Sequence, residues 1–395
     1  MRVLVVTKIF PNAAEPLSAP FNRQQFTALA RQPGVDLEVL ATIPWFPGAG
    51  LVARWSSAGR LAAVPKVEEI DGLRVRHPRT LFVPRTAMAL WGPMYAASLG
   101  PSLARFRGAV DVVLGSWAYP DGFAAVVLAR ALGVPAVVKL HGSDVNVIAQ
   151  RGGPRRLCQW ALPRAARVVA VSRPLAAEAE ALGVAPERVA VVGNGVDGER
   201  FRPGDRGQAR AALGLGDGPL AVYVGNLKAS KGVLDLIAAF PAVRVALPTA
   251  RLAIVGGGEA QAEVAAAAAA LGDAIVLAGP RPPDEVARWM AAADVVTLAS
   301  WAEGMPNVVL EALASGRRVV ATAVGGVPDV ITEPALGALV PPRDPAALAA
   351  ALIAALPMPY DAELVARRGA RGGWDASAAA LAAVLRDAAG ATVPT

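Results

Sequence analysis

"PGDRGQARAALGLGDGPLAVYVG", residues 203–225, divides the chain. Its first part is polar and glycine-rich, with helix-forming residues only in the middle, and reads as a linker with a small helix. Its last part, "LAVYVG" (220–225), is a short β-branched apolar run, the pattern of a parallel strand covered on both faces. Before the linker the same kind of run recurs as "RVLVVTKI" (2–9), "DLEVLATI" (36–43), "DVVLGSW" (111–117), "PAVVKLHG" (135–142), "RVVAVS" (167–172) and "RVAVVGNG" (188–195), with helical stretches at 22–32, 121–132 and up to about 182. After it, strands at 251–257, 275–279, 294–300 and 317–326 alternate with helices at 231–247, 259–271, 283–292 and 307–315. Two successive β/α series predict an α/β protein of two doubly wound, Rossmann-like domains, residues 1–204 and 205–373. Ligands in such sheets sit outside the carboxyl ends of the strands, where Thr7–Phe10, His141, Gly225–Lys231, Gly256–Gly258 and Glu303 fall.

Composition narrows the classes. Of 395 residues 54% are apolar, enough for two cores. The longest apolar stretches are interrupted, as Pro93 and Pro101 interrupt 86–104, so no transmembrane helix is expected. "MRVLVVTKIFP" lacks a small-residue cleavage site and reads as a first strand, not a signal peptide. The single cysteine, Cys158, excludes an internal disulfide, and two histidines, His77 and His141, leave little for a Cys/His zinc site. Charge is uneven. Residues 1–204 hold 24 Lys and Arg against 14 Asp and Glu, a balance of +10, and residues 205–395 hold 15 against 18, or −3. A basic front half suits an anionic partner or serves solubility alone.

The segment "SWAEGMPNVVLEALASG" (300–316) carries the most chemistry. A strand ends at Ser300, a loop carries Glu303, and a helix starts near Pro306 and Asn307, with asparagine suited to the cap. Glu311 then lies about one turn above the helix start, roughly 6 Å. Backbone amides at a helix start favour an anion, and carboxylates beside them accept sugar hydroxyls. This reading asks for a ligand with both phosphate and sugar. The other reading is a capping loop with one buried Glu paired to an Arg.

"EGMPNVVLE" resembles the E-x7-E motif of family 4 glycosyltransferases, retaining enzymes of the GT-B fold, two Rossmann-like domains facing across a cleft. "HGSD" (141–144), "VAVVGNGVDGERFRP" (189–203), "YVGNLKASKGV" (223–233), "AIVGGGE" (253–259), "DEVARWMAAADVV" (284–296) and "VVATAVGGVPDVI" (319–331) follow in family order. "NRQQFTALA" (22–30), "PWFP" (44–47) and "WAYPDGFAA" (117–125) look like the subgroup of the teichuronic acid biosynthesis glycosyltransferase. The resemblance implies an acceptor-binding domain over 1–204, a donor-binding domain over 205–373, and a last helix, about 374–395, that crosses back to the first domain.

It also implies roles. Glu311 would hold the nucleotide ribose, and Glu303 the donor sugar hydroxyls. Gly304, Met305 and Pro306 would present backbone to sugar and diphosphate, with Asn307 at the helix start. Lys231 matches the family's diphosphate lysine, and His141 the histidine against the donor sugar. Asn226 stands where members usually carry Arg, and supplies neither charge nor a bidentate fork. Ala19-Pro20 stands in the first loop, where many members carry Gly-Gly, with Arg23 near it. Arg281 is the candidate base neighbour, and Asp144 an acceptor-side candidate.

Gly256-x-Gly258 lacks the third glycine of a dinucleotide fingerprint, which would fall at Gln261, so no nicotinamide cofactor is expected. "NGVD" (194–197) reads as structural. With no Asp-x-Asp, metal-independent transfer without a cofactor is expected. The expected partners are a nucleotide-sugar donor and a saccharide or lipid-linked acceptor, and no nucleic acid. "RGGPRRLCQWALPRAAR" (151–167), with five arginines and Trp160, fits an anionic membrane surface or a solvated helix face equally. The expected location is cytoplasmic, with peripheral contact on the inner membrane face left open. A sugar-nucleotide epimerase of the same fold and a non-catalytic glycosyltransferase-like partner remain the alternatives.

Overall fold

The computed structural model describes residues 1–16, 18–46, 57–82 and 88–390. Pro47 of "PWFP", residues 86–87, and residues 391–395 of the expected crossover segment lie outside them. The chain divides into two compact units, one of Met1–Asn194 with the chain from Trp374 onward, the other of Gly195–Gly373.

The described residues of the first unit form ten strands, β1 Arg2–Thr7, β2 Asp36–Ala41, β3 Ile43–Trp45, β4 Val67–Ile70, β5 Leu73–Arg76, β6 Arg79–Leu81, β7 Val112–Ser116, β8 Ala136–Leu140, β9 Arg167–Ala170 and β10 Val189–Val191. Eight form a sheet in the order β10-β9-β8-β7-β1-β2-β5-β4, parallel except for the β4–β5 hairpin, and β3 pairs with β6 apart from it. β7 and β8 are buried along their whole length, as expected of strands covered on both faces. Val3, Val5, Phe26, Val39 and Val112 pack with Leu381 and Leu385 of the helix Trp374–Gly390. The expected strand 36–43 is broken, because the Thr42 hydroxyl turns to Tyr95 and the chain leaves the sheet for β3.

The second unit has six strands, β11 Leu220–Val224, β12 Arg251–Val255, β13 Ile275–Gly279, β14 Val295–Leu298, β15 Arg318–Thr322 and β16 Gly337–Val340, all parallel in the order β13-β12-β11-β14-β15-β16. The linker's small helix is there, Arg206–Ala212, with the Asp205 side chain accepting from the Gln208 amide at 2.8 Å. The boundary is not near 204. It falls after Asn194, because Phe201 is buried in the second core and Arg200 pairs with Asp284 at 2.7 Å.

Among its parallel strands each sheet reverses its strand order at its first strand, between β1 and β7 in the first unit and between β11 and β14 in the second. Crevices at such reversals are where doubly wound sheets hold ligands.

Ala19 caps the helix Pro20–Ala30 in a left-handed conformation, φ 42° and ψ 57°. That region costs a residue with a Cβ about 1–2 kcal/mol. The resemblance places glycine there, and the backbone shape is kept with alanine. Ala19→Gly is expected to stabilise the protein by about 0.5–1 kcal/mol, the steric relief less glycine's greater chain entropy. Denaturant unfolding of both proteins reads the difference, and an unchanged or lower midpoint contradicts it.

Candidate active site

At the β11–β14 reversal two loops meet. After β11 come Gly225, Asn226 and a short turn, Ala229–Lys231. After β14 comes Ser300 and the loop to the helix Asn307–Ala314. Lys231 Nζ donates to Glu303 Oε1 at 2.6 Å, and Ser300 Oγ donates to the same oxygen at 2.6 Å. The Glu303 side chain is 8% exposed and that of Lys231 31%, so the carboxylate end of the pair is shielded from water and the pair is held more firmly than one wholly on the surface.

The sequence folds this way because the loop is braced on every side. The Trp301 amide donates to the Ser230 carbonyl at 2.9 Å, its indole N–H donates to Asp235 at 2.6 Å, and the Arg343 guanidinium lies 4.4 Å over its ring. Thr322 Oγ1 donates to the Ser300 carbonyl at 2.6 Å. The Gly326 amide donates to the Gly304 carbonyl at 2.8 Å. Two glycines are required by close approach and by φ. Gly232, at φ 63°, would drive a Cβ onto the Ala299 carbonyl, and Gly325, at φ 52°, would drive one onto the Glu303 carbonyl. The "KG" and "VGG" pieces of sequence are therefore the backbone seats of Lys231 and Glu303.

The helix start differs from expectation in one respect. Pro306 occupies the cap position and Asn307 is the first helical residue, with no side chain capping the end. Gly304 and Pro306 are buried, and Met305 packs its side chain against the core. Glu311, one turn on, is half-buried, and its carboxylate makes no hydrogen bond or ion pair among the described residues. Burial pushes its carboxyl up to about 7, while Arg200 pulls it down and Asp197 pushes it up. Arg200 is itself engaged, with Asp197 at 2.9 Å and Asp284 at 2.7 Å. "NGVD" is thus structural in part, but its Asp197 also orients the cation nearest in influence to Glu311.

Asn226 is exposed, and its side-chain oxygen sits against Gly258, where a Cβ would collide with it. The Gly-rich turn at 256–258 is a backbone partner of the Asn226 loop, with the Leu227 amide donating to the Gly257 carbonyl at 3.0 Å. Arg281 lies past β13, at the sheet edge, donating to the Ala278 carbonyl at 2.9 Å and to Glu285 at 3.4 Å.

In the first unit His141 follows β8. Its Nε2 is 2.9 Å from Ser116 Oγ. Ser116 Oγ donates to Asn22 Oδ1 at 3.1 Å, and Asn22 Nδ2 donates to the Ile9 carbonyl at 2.9 Å, which fixes the amide's orientation. Ser116 therefore spends its proton on Asn22, and His141 must carry its own on Nε2. That leaves Nδ1 as an acceptor with no partner among the described residues. Burial and Lys139 hold the imidazole well below its ordinary value, so it is neutral. Lys139 is fully buried, hydrogen-bonds Gln25, and is lowered to about 7 by the same burial.

Two expected positions are corrected. Asp144 does not face an acceptor. It is fully buried, and its carboxylate accepts from the amides of Ala118 at 2.8 Å, Gly142 at 2.7 Å and His141 at 3.2 Å. It positions the loop that carries His141. Arg23 is turned outward, bidentate to Asp71 at 2.6 and 2.7 Å. From "NRQQ" it is Asn22 and Gln25 that face inward, a polar pair three residues apart on an otherwise apolar helical face. That spacing was the available signal for the support of His141.

Two family models match, "Glycosyl transferases group 1" over residues 218–357 and "Glycosyltransferase Family 4" over residues 51–200. A Bacillus subtilis protein carrying the name teichuronic acid biosynthesis glycosyltransferase TuaC is 30% identical over 341 residues, 83% of this chain and 82% of that protein. A D-inositol 3-phosphate glycosyltransferase of Catenulispora acidiphila is 34% identical over 388 residues, 90% of this chain and 91% of that one. Among solved structures, a sucrose-phosphate synthase of Thermosynechococcus elongatus superposes with TM-score 0.72 at 21% identity, covering 98% of this chain and 96% of its own. Anabaena HepE, solved with UDP, superposes with TM-score 0.70 at 18% identity, covering 98% of both. These likenesses carry the GT-B fold.

Proposed function

Because this chain belongs to the family 4 glycosyltransferases, we propose that it moves a sugar from a nucleoside diphosphate sugar to a hydroxyl acceptor, with retention at the anomeric carbon. The observation that carries the reading is the Lys231–Glu303 pair at the strand-order reversal of the second unit. A cation there neutralises the charge that grows on the leaving diphosphate. Glu303 accepts from sugar hydroxyls, and Glu311 from the ribose. The helix start at Asn307 and Lys231 do the work of a metal, so transfer is metal-independent. On this reading the second unit is the donor domain and the first the acceptor domain. His141, neutral and with Nδ1 unspent, can accept a hydrogen bond from a sugar hydroxyl.

Retention follows a same-face attack. The acceptor oxygen bonds to the anomeric carbon as the carbon–phosphate oxygen bond breaks, and the leaving phosphate oxygen takes the acceptor proton. No enzymic nucleophile is needed, and Glu303 is not assigned as one. The named activities of the relatives, together with the UDP and UDP-glucose found with HepE, support a nucleotide-sugar donor and a role in making a polysaccharide or glycolipid.

The experiment is product analysis by proton NMR, with candidate donors and with and without acceptor. A glycoside of unchanged anomeric configuration supports the reading. An inverted product contradicts retention, and a changed sugar without acceptor means an epimerase. Bound nucleotide with no turnover means a non-catalytic partner.

No described helix is long and apolar enough to cross a membrane. We assign peripheral contact on a cytoplasmic membrane face to the helix Gly152–Ala161, which exposes Arg156 and Trp160, with the Arg164 guanidinium 4.8 Å over the indole. Pelleting with anionic vesicles and not with neutral ones is the expected outcome. Equal or absent pelleting removes the assignment.

A further inference from the structure

A cavity of about 340 Å³ in the first unit, at the carboxyl ends of β1 and β2, has no part in the donor chemistry above. Its size is that of a small-molecule site. Most of its wall is apolar, from Ile9, Pro44, Leu61, Phe82, Trp91 and Pro120. The hydroxyls of its polar wall are already paired, that of Thr80 with the Ile43 carbonyl at 3.3 Å. Thr42 Oγ1 donates to the Tyr95 oxygen at 2.9 Å, and the Tyr95 hydroxyl donates to Asp121 Oδ1 at 2.9 Å. An apolar guest would therefore strand none of these hydrogen bonds.

Among the described residues one charged group lines it. Lys8 follows β1, its ammonium 5.6 Å over the Trp117 ring, with no hydrogen bond or ion pair among the described residues. Asp121 is close enough to feel Lys8, but burial pushes its carboxyl up to about 7, so near neutral pH it cancels only part of the lysine's charge. Trp117 in turn stacks on His141, with ring centroids 5.9 Å apart. The charged end of the cavity is thus one indole away from His141.

We infer that this cavity holds the apolar anchor of the acceptor, and that Lys8 takes a phosphate attached to that anchor. The acceptor is then a lipid-linked phosphate and not a free saccharide. This rests on the glycosyl-transfer reading and names the acceptor's chemical class.

Calorimetric titration of the full chain with butyl, hexyl and octyl phosphate, kept below micelle formation, tests it, with octyl glucoside and inorganic phosphate as the other arms. Affinity is expected to rise about three- to fourfold per methylene as the cavity fills. Octyl phosphate should bind at least tenfold tighter than octyl glucoside or inorganic phosphate. Lys8→Ala should lose at least tenfold. Leu81→Glu, a carboxylate on an exposed residue at the cavity wall, should lose as much by repulsion. Stabilisation by nucleotide should persist in both variants, which checks their folding and separates this inference from the donor reading. Octyl phosphate binding no tighter than its neutral or inorganic counterpart, or both variants binding it like the parent, overturns the inference even where nucleotide binds.

Discussion

Lys231→Ala is expected to lower kcat for sugar transfer by about 10²–10³, the usual loss when one donor to a developing negative charge is removed. Donor KM should move only a few-fold. The split follows from geometry. Lys231 already neutralises Glu303 at 2.6 Å. A diphosphate arriving in the ground state gains only what Lys231 gives up there. The departing diphosphate carries more charge and gains more, so the cation's effect falls on the transition state. Loss of the side chain should leave the fold intact, because Lys231 is partly exposed and Glu303 keeps Ser300 Oγ. Steady-state kinetics reads both constants. An unchanged kcat removes Lys231 from the reaction.

Glu311→Gln is expected to move two observables in opposite directions. A half-buried carboxylate without a partner destabilises the folded protein. Its folded value of about 7 lies above the ordinary 4.5. Between those values the folded state holds a proton that the unfolded state has lost, so stability falls as pH rises from about 4.5 to 7, and the full cost persists above 7. Glutamine carries no such charge. At pH 8 the variant should be more stable than the parent by roughly 1–3 kcal/mol and melt higher, and the gain should vanish below the ordinary carboxyl value. Nucleotide affinity should meanwhile fall by about 10–100-fold, the worth of a hydrogen bond to a charged acceptor. For the same reason the parent should bind nucleotide less tightly below pH 7 than at pH 8. Thermal melts with and without nucleotide at pH 5 and 8 check all of this. A variant that melts lower and binds normally makes Glu311 a structural residue.

The parallel strands were legible in the sequence because strands covered on both faces leave unbroken apolar runs, as in β7 and β8. The hairpin β4–β5 was not, because Glu68, Glu69, Arg74 and Arg76 break its apolar pattern at a sheet edge. The unit boundary was misplaced because Phe201 and Arg200 commit residues 195–203 to the second core through contacts distant in sequence. At the site, Glu303 and Lys231 were legible as motif residues, and the structure brings them together. Their supports were not. Ser300, Asp235 and Arg343 act through the loop's shape, and Asn22, Gln25 and Lys139 act through burial, which spacing does not display. Asp144 was misread for the same reason, since a carboxylate that satisfies three amides looks, in sequence, like one that awaits a ligand.

The measurement that tests the donor site most directly is thermal stabilisation of the purified protein by UDP, GDP, ADP and their sugar conjugates, in EDTA, with Glu311→Ala beside it. The account predicts stabilisation by one base over the others that survives EDTA and is lost in the variant. No stabilisation by any of them, or stabilisation that needs a metal or persists without Glu311, would contradict it.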